Sequence, residues 1–402
     1  MTDLHQRLED LRDRGLYRRL RIVSGPQGPR IVLDGRPVLL LCSNNYLGLA
    51  DHPRVREAAA DAAMRWGAGA GASRLVSGTM RIHRALEKRL ADFKNSDAAV
   101  LFGSGYLANQ GVIGSLAREG EVVFSDELNH ASIIDGCRLS RAKTFVYRHR
   151  DLEHLAWGLE EAGRRASLIV TDSVFSMDGA IAPLTGLAEL ARRHNVRLAV
   201  DEADAVGCMG PGGRGAVHAA GLEGEVDVVI GTLGKALGSY GAYVTCGDDM
   251  ARWLVNSARS LIFSTAPAPP SVAAALAALE LLMDDDHAVE RLQDNANVLR
   301  AALSDEGLDT ADSSTHIIPL IVGDAQTTMD FCEMALEDGV FAQGIRPPTV
   351  APGTSRLRLT VMSTHTAQEL RGAAQILGRA ARDAGLAPAR LPHEDHGQPA
   401  VA

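Results

Sequence analysis

Residues 184–201 read Leu-Thr-Gly-Leu-Ala-Glu-Leu-Ala-Arg-Arg-His-Asn-Val-Arg-Leu-Ala-Val-Asp, and this stretch decides the fold class. Its leucines and alanines recur every three or four residues as far as His194, which predicts an amphipathic helix over Leu184–His194. The mostly apolar run Val196–Asp201 that follows is typical of a strand buried in a parallel sheet. A helix that leads directly into a buried strand indicates an α/β domain.

The same alternation continues on both sides of this stretch. Six further short apolar runs are predicted as strands: Ala98–Phe102, Val122–Ser125, Thr144–Tyr147, Leu168–Asp172, Val226–Ile230 and Ala242–Cys246. Helical patterns lie between them, so we expect a mostly parallel sheet with helices on both faces. Upstream, apolar spacing predicts helices over Asp3–Leu20 and Thr79–Phe93.

The pattern changes after about Asp286 and predicts a smaller α+β domain. A long helix to Leu308 is followed by alternating strands and helices: His316–Val322, Thr327–Asp338, Arg356–Val361 and Ala367–Ala384. We therefore expect an amino-terminal helix and arm over 1–45, a large domain over 46–285 that would hold the functional site, a small domain over 286–385 and a disordered tail over 386–402.

Composition excludes several functional classes. Of the 402 residues, 46% are hydrophobic and 23% are charged, which is typical of a soluble globular protein. A formal charge of −9 with 4% aromatic residues disfavours nucleic acid as a partner. The most apolar stretch, Ser271–Met283, is too short to span a membrane, and the amino terminus has no apolar signal core. Five cysteines without metal-ligand spacing predict reduced thiols, a cytoplasmic protein and no metal site.

The loop that follows the predicted strand Ala98–Phe102 begins with a glycine-rich turn, Gly103-Ser104-Gly105-Tyr106-Leu107-Ala108. This turn matches G-x-G-x-x-A, and Asp126 follows Gly105 by 126 − 105 = 21 residues, as in a nicotinamide-dinucleotide site. Backbone amides at such a helix start can hold a phosphate. A tight turn without any ligand explains the same residues, so the motif alone leaves a dehydrogenase and an empty turn open.

Asp201 ends a second predicted strand, and Lys235 follows a third. Lys235 stands among glycines. A P-loop does not explain the lysine, because its first glycine would fall on Val229 and Ala236 stands where a magnesium-binding Ser or Thr is required. A structural ion pair remains an alternative. A lysine with small neighbours can instead form a Schiff base with an aldehyde cofactor, and a carboxylate beside it can hold a protonated pyridine nitrogen. A phosphate loop, an aspartate and a lysine at the carboxyl ends of three predicted strands together predict a pyridoxal phosphate site.

Seven segments carry a resemblance to a known family: Ser43–Leu49, Ser73–Thr79, Gly103–Tyr106, Asn129–Ser132, Val174–Gly179, Gly231–Lys235 and Arg356–Thr360. From about residue 15 to residue 384 the chain resembles the α-oxoamine synthases, which are pyridoxal phosphate enzymes of the aspartate-aminotransferase-like fold (fold type I). Residues 73–79 and 345–350 are most similar to the branch that acts on a pimeloyl thioester in biotin ring assembly. The resemblance implies a large cofactor-binding domain and a smaller carboxy-terminal α+β domain.

The resemblance also implies roles around the cofactor. Lys235 would carry the internal aldimine and then act as the base toward the bound amino acid. Asp201 would pair with the pyridine nitrogen, and His130 would stack on the ring, although a histidine before a helix is also a common cap. The phosphate would be held by the amides of Gly105 and Tyr106 and by the hydroxyl of Thr232.

Substrate recognition is implied for a second set of residues. Arg358 would bind the substrate carboxylate through a bidentate fork, assisted by Asn44 and by Ser176, which also belongs to the cofactor site. Strand geometry places Arg356 on the same face as Arg358, so only the family motif chooses between them. Arg18 would contact substrate as well, or else belong to a solvated basic helix face.

The implied reaction is the decarboxylative condensation of L-alanine with a pimeloyl thioester, carried by coenzyme A or by an acyl carrier protein. Thr265 would reach the phosphate of the other subunit, which implies a homodimer with active sites at its interface. Another acyl thioester, another amino acid such as glycine, and a catalytically impaired partner subunit remain alternatives.

One position departs from the family pattern. The family reads Asp-x-Ala-His, and its histidine donates a hydrogen bond to the phenolic oxygen of the cofactor, whereas this chain reads Asp201-Glu202-Ala203-Asp204. A carboxylate donates such a bond only when it is protonated. We therefore expect a raised pKa at Asp204, a differently arranged loop, or altered chemistry.

Overall fold

The computed structural model describes residues 3–386, so the predicted tail lies outside the described residues except for Leu386. The amino-terminal part contains α1 (Leu4–Asp13), β1 (Val23–Ser24), β2 (Arg30–Leu33) and β3 (Arg36–Leu40). The prediction of a helix to Leu20 is wrong beyond Asp13. The helix ends there because Arg14 caps it and Gly15 takes a positive φ of 64°, the left-handed conformation that favours glycine after a helix.

The large central part alternates helices and strands as predicted. In chain order it contains α2 (Pro53–Trp66), α3 (Arg81–Phe93), β4 (Ala98–Phe102), α4 (Gly105–Leu116), β5 (Val122–Asp126), α5 (Ala131–Ser140), β6 (Lys143–Tyr147), α6 (Leu152–Ala162), β7 (Ala166–Asp172), α7 (Leu184–His194), β8 (Arg197–Asp201), α8 (Ala216–Ala219), β9 (Val228–Thr232), β10 (Ala242–Cys246), α9 (Asp248–Ser257), α10 (Arg259–Ile262) and α11 (Pro269–Asp284). A single π-helical turn, Arg74–Gly78, precedes α3.

The carboxy-terminal part contains α12 (Ala288–Asp305), β11 (Ile317–Gly323), α13 (Ala325–Glu337), β12 (Val340–Phe341), β13 (Gln343–Ile345), β14 (Ser355–Thr360) and α14 (Ala367–Asp383). Helices α11 and α12 are separated at residues 285–287, where the sequence predicts the smaller domain to begin. The limits assigned to the domains stay a prediction.

The central sheet has seven strands in the order β4-β10-β9-β8-β7-β5-β6. Strands β9, β8, β7, β5 and β6 pair in parallel, and β10 is antiparallel to both of its neighbours. The predicted mostly parallel sheet of an α/β fold is therefore confirmed. Strand β9 starts two residues later than predicted: Asp227 N donates to Leu198 O at 3.1 Å, but Leu198 N donates to the side-chain Oδ2 of Asp227 and not to a backbone oxygen of β9.

The sheet is buried on both faces, and alternate residues of one strand belong to different cores. Ile169 packs with Leu155 and Leu187 of α6 and α7. Its neighbour Leu168 packs with Ile113 and Leu254 of α4 and α9. This arrangement leaves the carboxyl ends of the strands as the open edge where ligands bind in such sheets.

The amino-terminal arm joins the carboxy-terminal part of the chain. Strands β11, β14 and β13 form an antiparallel sheet, whereas β12 pairs in parallel with β3, with Val340 opposite Leu39. Thr360 N then donates to Leu41 O at 2.8 Å. The chain after β3 is thus held against β14, which carries Arg358. Among residues 3–386, no helix combines the length and apolar character needed to cross a bilayer.

Candidate active site

Several of the predicted site residues lie at the carboxyl ends of the parallel strands. Asp172 ends β7, Asp201 ends β8, and these two residues are paired in register. Thr232 ends β9, and Lys235 follows it in the next turn. Because neighbouring parallel strands end at one edge, three separate segments bring acidic and basic groups to one place.

Asp201 is buried with both carboxylate oxygens engaged. Oδ2 accepts from Asn109 Nδ2 at 2.6 Å and Oδ1 accepts from Ala203 N at 2.8 Å. Burial raises the pKa of Asp201, although these two hydrogen bonds and the charge of Lys235 act in the opposite direction. Asn109 was not predicted from sequence, and a buried amide on the apolar helix α4 is the signal that could have found it.

Asp172 is a second buried carboxylate that sequence reasoning missed. Its Oδ2 accepts from His130 N at 2.8 Å, and burial together with the charge of Asp201 raises its pKa well above the usual range. It ends an apolar strand just as Asp201 does, so the same spacing argument applies to it. His130 itself caps α5, since its Nδ1 accepts from Ser132 N at 3.3 Å. His130 therefore acts as a helix cap through Nδ1, which is one of the two roles that the sequence suggests for it.

Lys235 pairs with the residue that departs from the family pattern. Lys235 Nζ donates to Asp204 Oδ2 at 2.7 Å, the hydroxyl of Tyr46 donates to Asp204 Oδ1 at 2.5 Å, and Arg358 Nη2 lies 3.8 Å from the same oxygen. Burial opposes ionisation of Asp204, but the charges of Lys235 and Arg358 outweigh it and hold its pKa below the usual range. The expectation of a raised pKa is wrong, because two cations face this carboxylate.

Arg358 is separated from Arg356 by its partners. Arg358 Nη1 donates to Asn44 Oδ1 and Nη2 to the hydroxyl of Tyr46, both at 3.1 Å, while Nε donates to the backbone oxygen of Ser176. Arg356 instead forms an ion pair with Asp178. The structure therefore brings Arg358, and not Arg356, into the hydrogen-bonded group around Lys235.

The protein groups that are predicted to bind the phosphate lie at the start of a helix and at the start of a turn. Gly105 begins α4, and a Cβ placed on it would meet no atom within 4 Å, so the space at this helix start is open. Tyr106 follows it, partly exposed, with its hydroxyl on Asp135. Thr232 Oγ1 accepts from Gly234 N at 3.2 Å. A helix amino terminus with an open approach can receive a phosphate.

Thr265 and Arg18 have no contact with the hydrogen-bonded group formed by Lys235, Asp204, Tyr46, Arg358 and Asn44. Thr265 forms a backbone bridge with Ser73, beside the π-helical turn. Arg18 donates to Pro347 O at 3.2 Å and lines a cavity of about 740 Å³ together with Arg346. The group around Lys235 is thus assembled without either of them. Within residues 3–386, no three His, Cys, Asp or Glu side chains are arranged to hold a metal ion.

Comparisons with known proteins agree with this geometry. Residues 36–377 match the aminotransferase class I and II family. The chain is 52% identical over 386 residues to the 8-amino-7-oxononanoate synthase of Geobacter metallireducens, which covers 95% of this chain and 98% of that protein. It is 45% identical to the enzyme of the same name from Thermoanaerobacter pseudethanolicus, over 91% of this chain and 93% of that protein.

Solved structures agree as well. A structure of SPT with a PLP internal aldimine has a TM-score of 0.91 and 32% identity, covering 96% of this chain and 98% of that chain. The 8-amino-7-oxononanoate synthase of Francisella tularensis has a TM-score of 0.75 and 27% identity, covering 86% and 98%. The chain belongs to the aminotransferase class I and II family and, within it, to the 8-amino-7-oxononanoate synthases of the α-oxoamine synthase group.

Proposed function

We propose that the protein condenses L-alanine with a pimeloyl thioester, releases carbon dioxide and forms 8-amino-7-oxononanoate, a step of biotin biosynthesis. The acyl carrier is coenzyme A or an acyl carrier protein. The observation that carries this proposal is one buried carboxylate, Asp204, which accepts a hydrogen bond from the amine of Lys235 and has a guanidinium nitrogen of Arg358 at 3.8 Å. Relatives that are 45–52% identical over nearly the whole chain bear the corresponding name.

The residues present fit pyridoxal phosphate. The side chain of Lys235 is 22% exposed, so its amine is within reach of an aldehyde, and the amino terminus of α4 is open at Gly105. Asp201 is assigned to the pyridine nitrogen, His130 to the ring face and Ser176 to the cofactor edge. The phosphate is assigned to the amides of Gly105 and Tyr106 and the hydroxyl of Thr232. When bound, the cofactor supplies an electron sink for negative charge on the α carbon of the amino acid.

The protein's own groups then perform binding and proton transfer. Arg358 has five N–H donors and gives three of them to Ser176, Tyr46 and Asn44. Each terminal nitrogen therefore keeps one N–H, and Arg358 is assigned to the carboxylate of L-alanine. Lys235 would be the base for the α proton of the amino acid. Asp204 orients its amine and is assigned to the catalytic group in place of the family's histidine.

Arg18 is assigned to the acyl thioester. It lines the 740 Å³ cavity with Arg346, while Leu33, Leu336 and Phe341 supply apolar walls. Positive charge at one part of an apolar cavity suits an acyl chain with an anionic group.

We assign a cytoplasmic homodimer, with Thr265 completing the phosphate site of the partner subunit. Support comes from exposed apolar side chains near Thr265, because Val76 in the π-helical turn is 80% exposed and Phe263 is 71% exposed. Large exposed apolar groups that lie together are typical of an interface. The five cysteines are all free thiols, which supports a reducing compartment.

The alternatives of another thioester, glycine or an impaired partner subunit are not favoured by these relatives. The deciding experiment incubates the purified protein with pyridoxal phosphate, L-alanine and pimeloyl-CoA and detects 8-amino-7-oxononanoate by mass spectrometry. Glycine, acetyl-CoA, succinyl-CoA and palmitoyl-CoA are tested in parallel. Faster turnover of any of these than of the alanine and pimeloyl pair would overturn the proposal.

A further inference from the structure

A fully buried tyrosine connects the lysine end of the site to the arginine end. Tyr46 is 0% exposed, and its hydroxyl lies 2.5 Å from Asp204 Oδ1, 3.1 Å from Arg358 Nη2 and 3.0 Å from Asn44 Oδ1. The sequence predicts no role for Tyr46. Its position between two predicted site residues gives it one.

The direction of each hydrogen bond follows from the chemistry of the partners. Arg358 can only donate, so the hydroxyl of Tyr46 accepts from it. The hydroxyl has one proton, and Asp204 is both the nearest and the charged acceptor, so the proton lies toward Asp204. Asn44 Oδ1 accepts a hydrogen bond from Arg358 Nη1 instead. Burial and the charge of Asp204 raise the pKa of Tyr46 well above its usual range, so the hydroxyl stays a donor.

The tyrosine is itself held at both ends. Its backbone oxygen accepts from Ser363 N at 2.8 Å. Its ring packs edge-on against the ring of His316, with centroids 4.1 Å apart. The hydroxyl therefore has little freedom to follow Asp204 if the carboxylate turns.

We propose that Tyr46 is a positioning residue, whose hydroxyl fixes one oxygen of Asp204 so that the other oxygen stays against the amine of Lys235. The inference rests on the proposed function, because it takes Lys235 as the lysine that receives the cofactor. Without the hydroxyl, Arg358 Nη2, which lies 3.8 Å from Asp204 Oδ1, is a donor toward which that oxygen can move. Movement toward Arg358 draws the carboxylate away from Lys235.

Other ionisable groups lie around Lys235 and Asp204, and the same residues are present in every variant. They are Asp172 and Asp201 at the strand ends, Arg358 on β14, His316 before β11 and Cys208 after Asp204. Burial lowers the pKa of His316 to about 3, so it is neutral at the pH of the test. Burial raises the pKa of Cys208 well above its usual range, so it remains a thiol. The charge of Asp204 contributes to the raised pKa of Asp172, so Asp172 differs between proteins with and without that charge. Asp204→Asn and the double variant both lack the charge, so this contribution is the same in the two proteins whose comparison decides the role of Tyr46.

The test measures how fast the cofactor-free protein captures pyridoxal phosphate as a function of pH. Only the unprotonated amine attacks the aldehyde carbon, with loss of water, and borohydride then reduces the carbon–nitrogen bond so that the label at Lys235 is counted by peptide mass spectrometry. Asp204→Asn should lower the midpoint of the rate by about 1–3 pH units, because an opposite charge is removed. Tyr46→Phe should lower it by about 0.5–1 unit, the size expected for one hydrogen bond.

The double variant decides whether Tyr46 acts through Asp204. Tyr46→Phe combined with Asp204→Asn should have the midpoint of Asp204→Asn alone, since the hydroxyl then has no carboxylate to hold. The matched control is Tyr243→Phe, which removes a buried hydroxyl that has no hydrogen-bond partner among the described residues and should leave the midpoint unchanged. A wild-type midpoint in Tyr46→Phe, or additive shifts in the double variant, would overturn the inference.

A second measurement covers the case in which Tyr46→Phe does not fold. With 3-fluorotyrosine at position 46, the ¹⁹F resonance should shift on Asp204→Asn, and an unchanged resonance would refute the contact. The proposed function fails separately, if borohydride labels no lysine or a lysine other than Lys235 in the unaltered protein. Labelling at Lys235 with unmoved midpoints refutes only the role of Tyr46.

Discussion

Arg358 offers a direct test of substrate recognition at the scale of one residue. Arg358→Ala should leave attachment of the cofactor to Lys235 intact and weaken binding of L-alanine by about 2–5 kcal/mol, the range for losing one partner of a buried charge pair. The measurement is the alanine concentration that produces half of the visible spectral change. Arg356→Ala is the matched control, because that arginine pairs with Asp178. A normal alanine titration in Arg358→Ala would move the role to Arg356.

Asp204 gives a second prediction at this scale, now for the cofactor-loaded protein. The carboxylate is ionised and faces Lys235, so its charge should stabilise the protonated form of the nitrogen bound there. Asp204→His removes that charge. The visible absorbance band should therefore change from that of the protonated nitrogen to that of the unprotonated nitrogen at a pH that is lower by about one unit or more. A pH titration of the absorbance in both proteins checks this. Identical titrations would mean that Asp204 turns away once the cofactor is bound.

Among the helices and strands, a buried ion pair connects the end of helix α3 to the residue that directly follows strand β8. Lys94, at the end of α3, donates to Glu202 and to the backbone oxygen of Arg214, and the two paired side chains are 1% and 0% exposed. Lys94→Met leaves Glu202 charged and unpaired in the interior, which should lower the free energy of unfolding by about 3–5 kcal/mol. Denaturant unfolding measures this loss. Lys88→Met, at an exposed position of the same helix, should change little, and equal losses in both variants would contradict the explanation.

Local sequence is enough to predict the elements whose residues interact with close neighbours in sequence or are buried on both sides. Helix α7 and strand β10 have the predicted bounds, because apolar periodicity and a continuous apolar run are local signals. The parallel pairing of β3 with β12 could not be predicted, since Leu39 and Val340 are 340 − 39 = 301 residues apart in the chain. Strands β12 and β13, of two and three residues, are too short to show a period.

The same distinction applies to the candidate site. Asp201 and Lys235 could be predicted because each directly follows a recognisable strand, where parallel sheets place ligands. Tyr46 could not, because the partners that give it a role are 158 and 312 residues away in the chain. The partner of Lys235 could be named as an exception to a pattern, but its ionisation depends on Arg358, which arrives from the other end of the chain.

At the scale of the whole molecule, the assembly should decide whether the cofactor is retained. Thr265 is fixed by its bridge to Ser73, next to the exposed Val76, so a partner that covers Val76 would also approach Thr265. Val76→Glu places a charge in this apolar surface and should convert the proposed dimer into a monomer, because burying an unpaired carboxylate in an interface is unfavourable. Sedimentation velocity measures the mass, and dialysis followed by absorbance measures the retained cofactor.

The monomer should lose pyridoxal phosphate faster than the unaltered protein, because the phosphate lacks the contact that we assign to the partner's threonine. Thr265→Val in the dimer should show a faster loss without a change in mass, which separates the contact from the assembly. Trp157→Glu is the control, since it places the same charge at a side chain that is 54% exposed on α6 and should alter neither quantity. A monomeric Val76→Glu protein that keeps the cofactor as long as the dimer does would show that each chain forms a complete phosphate site by itself.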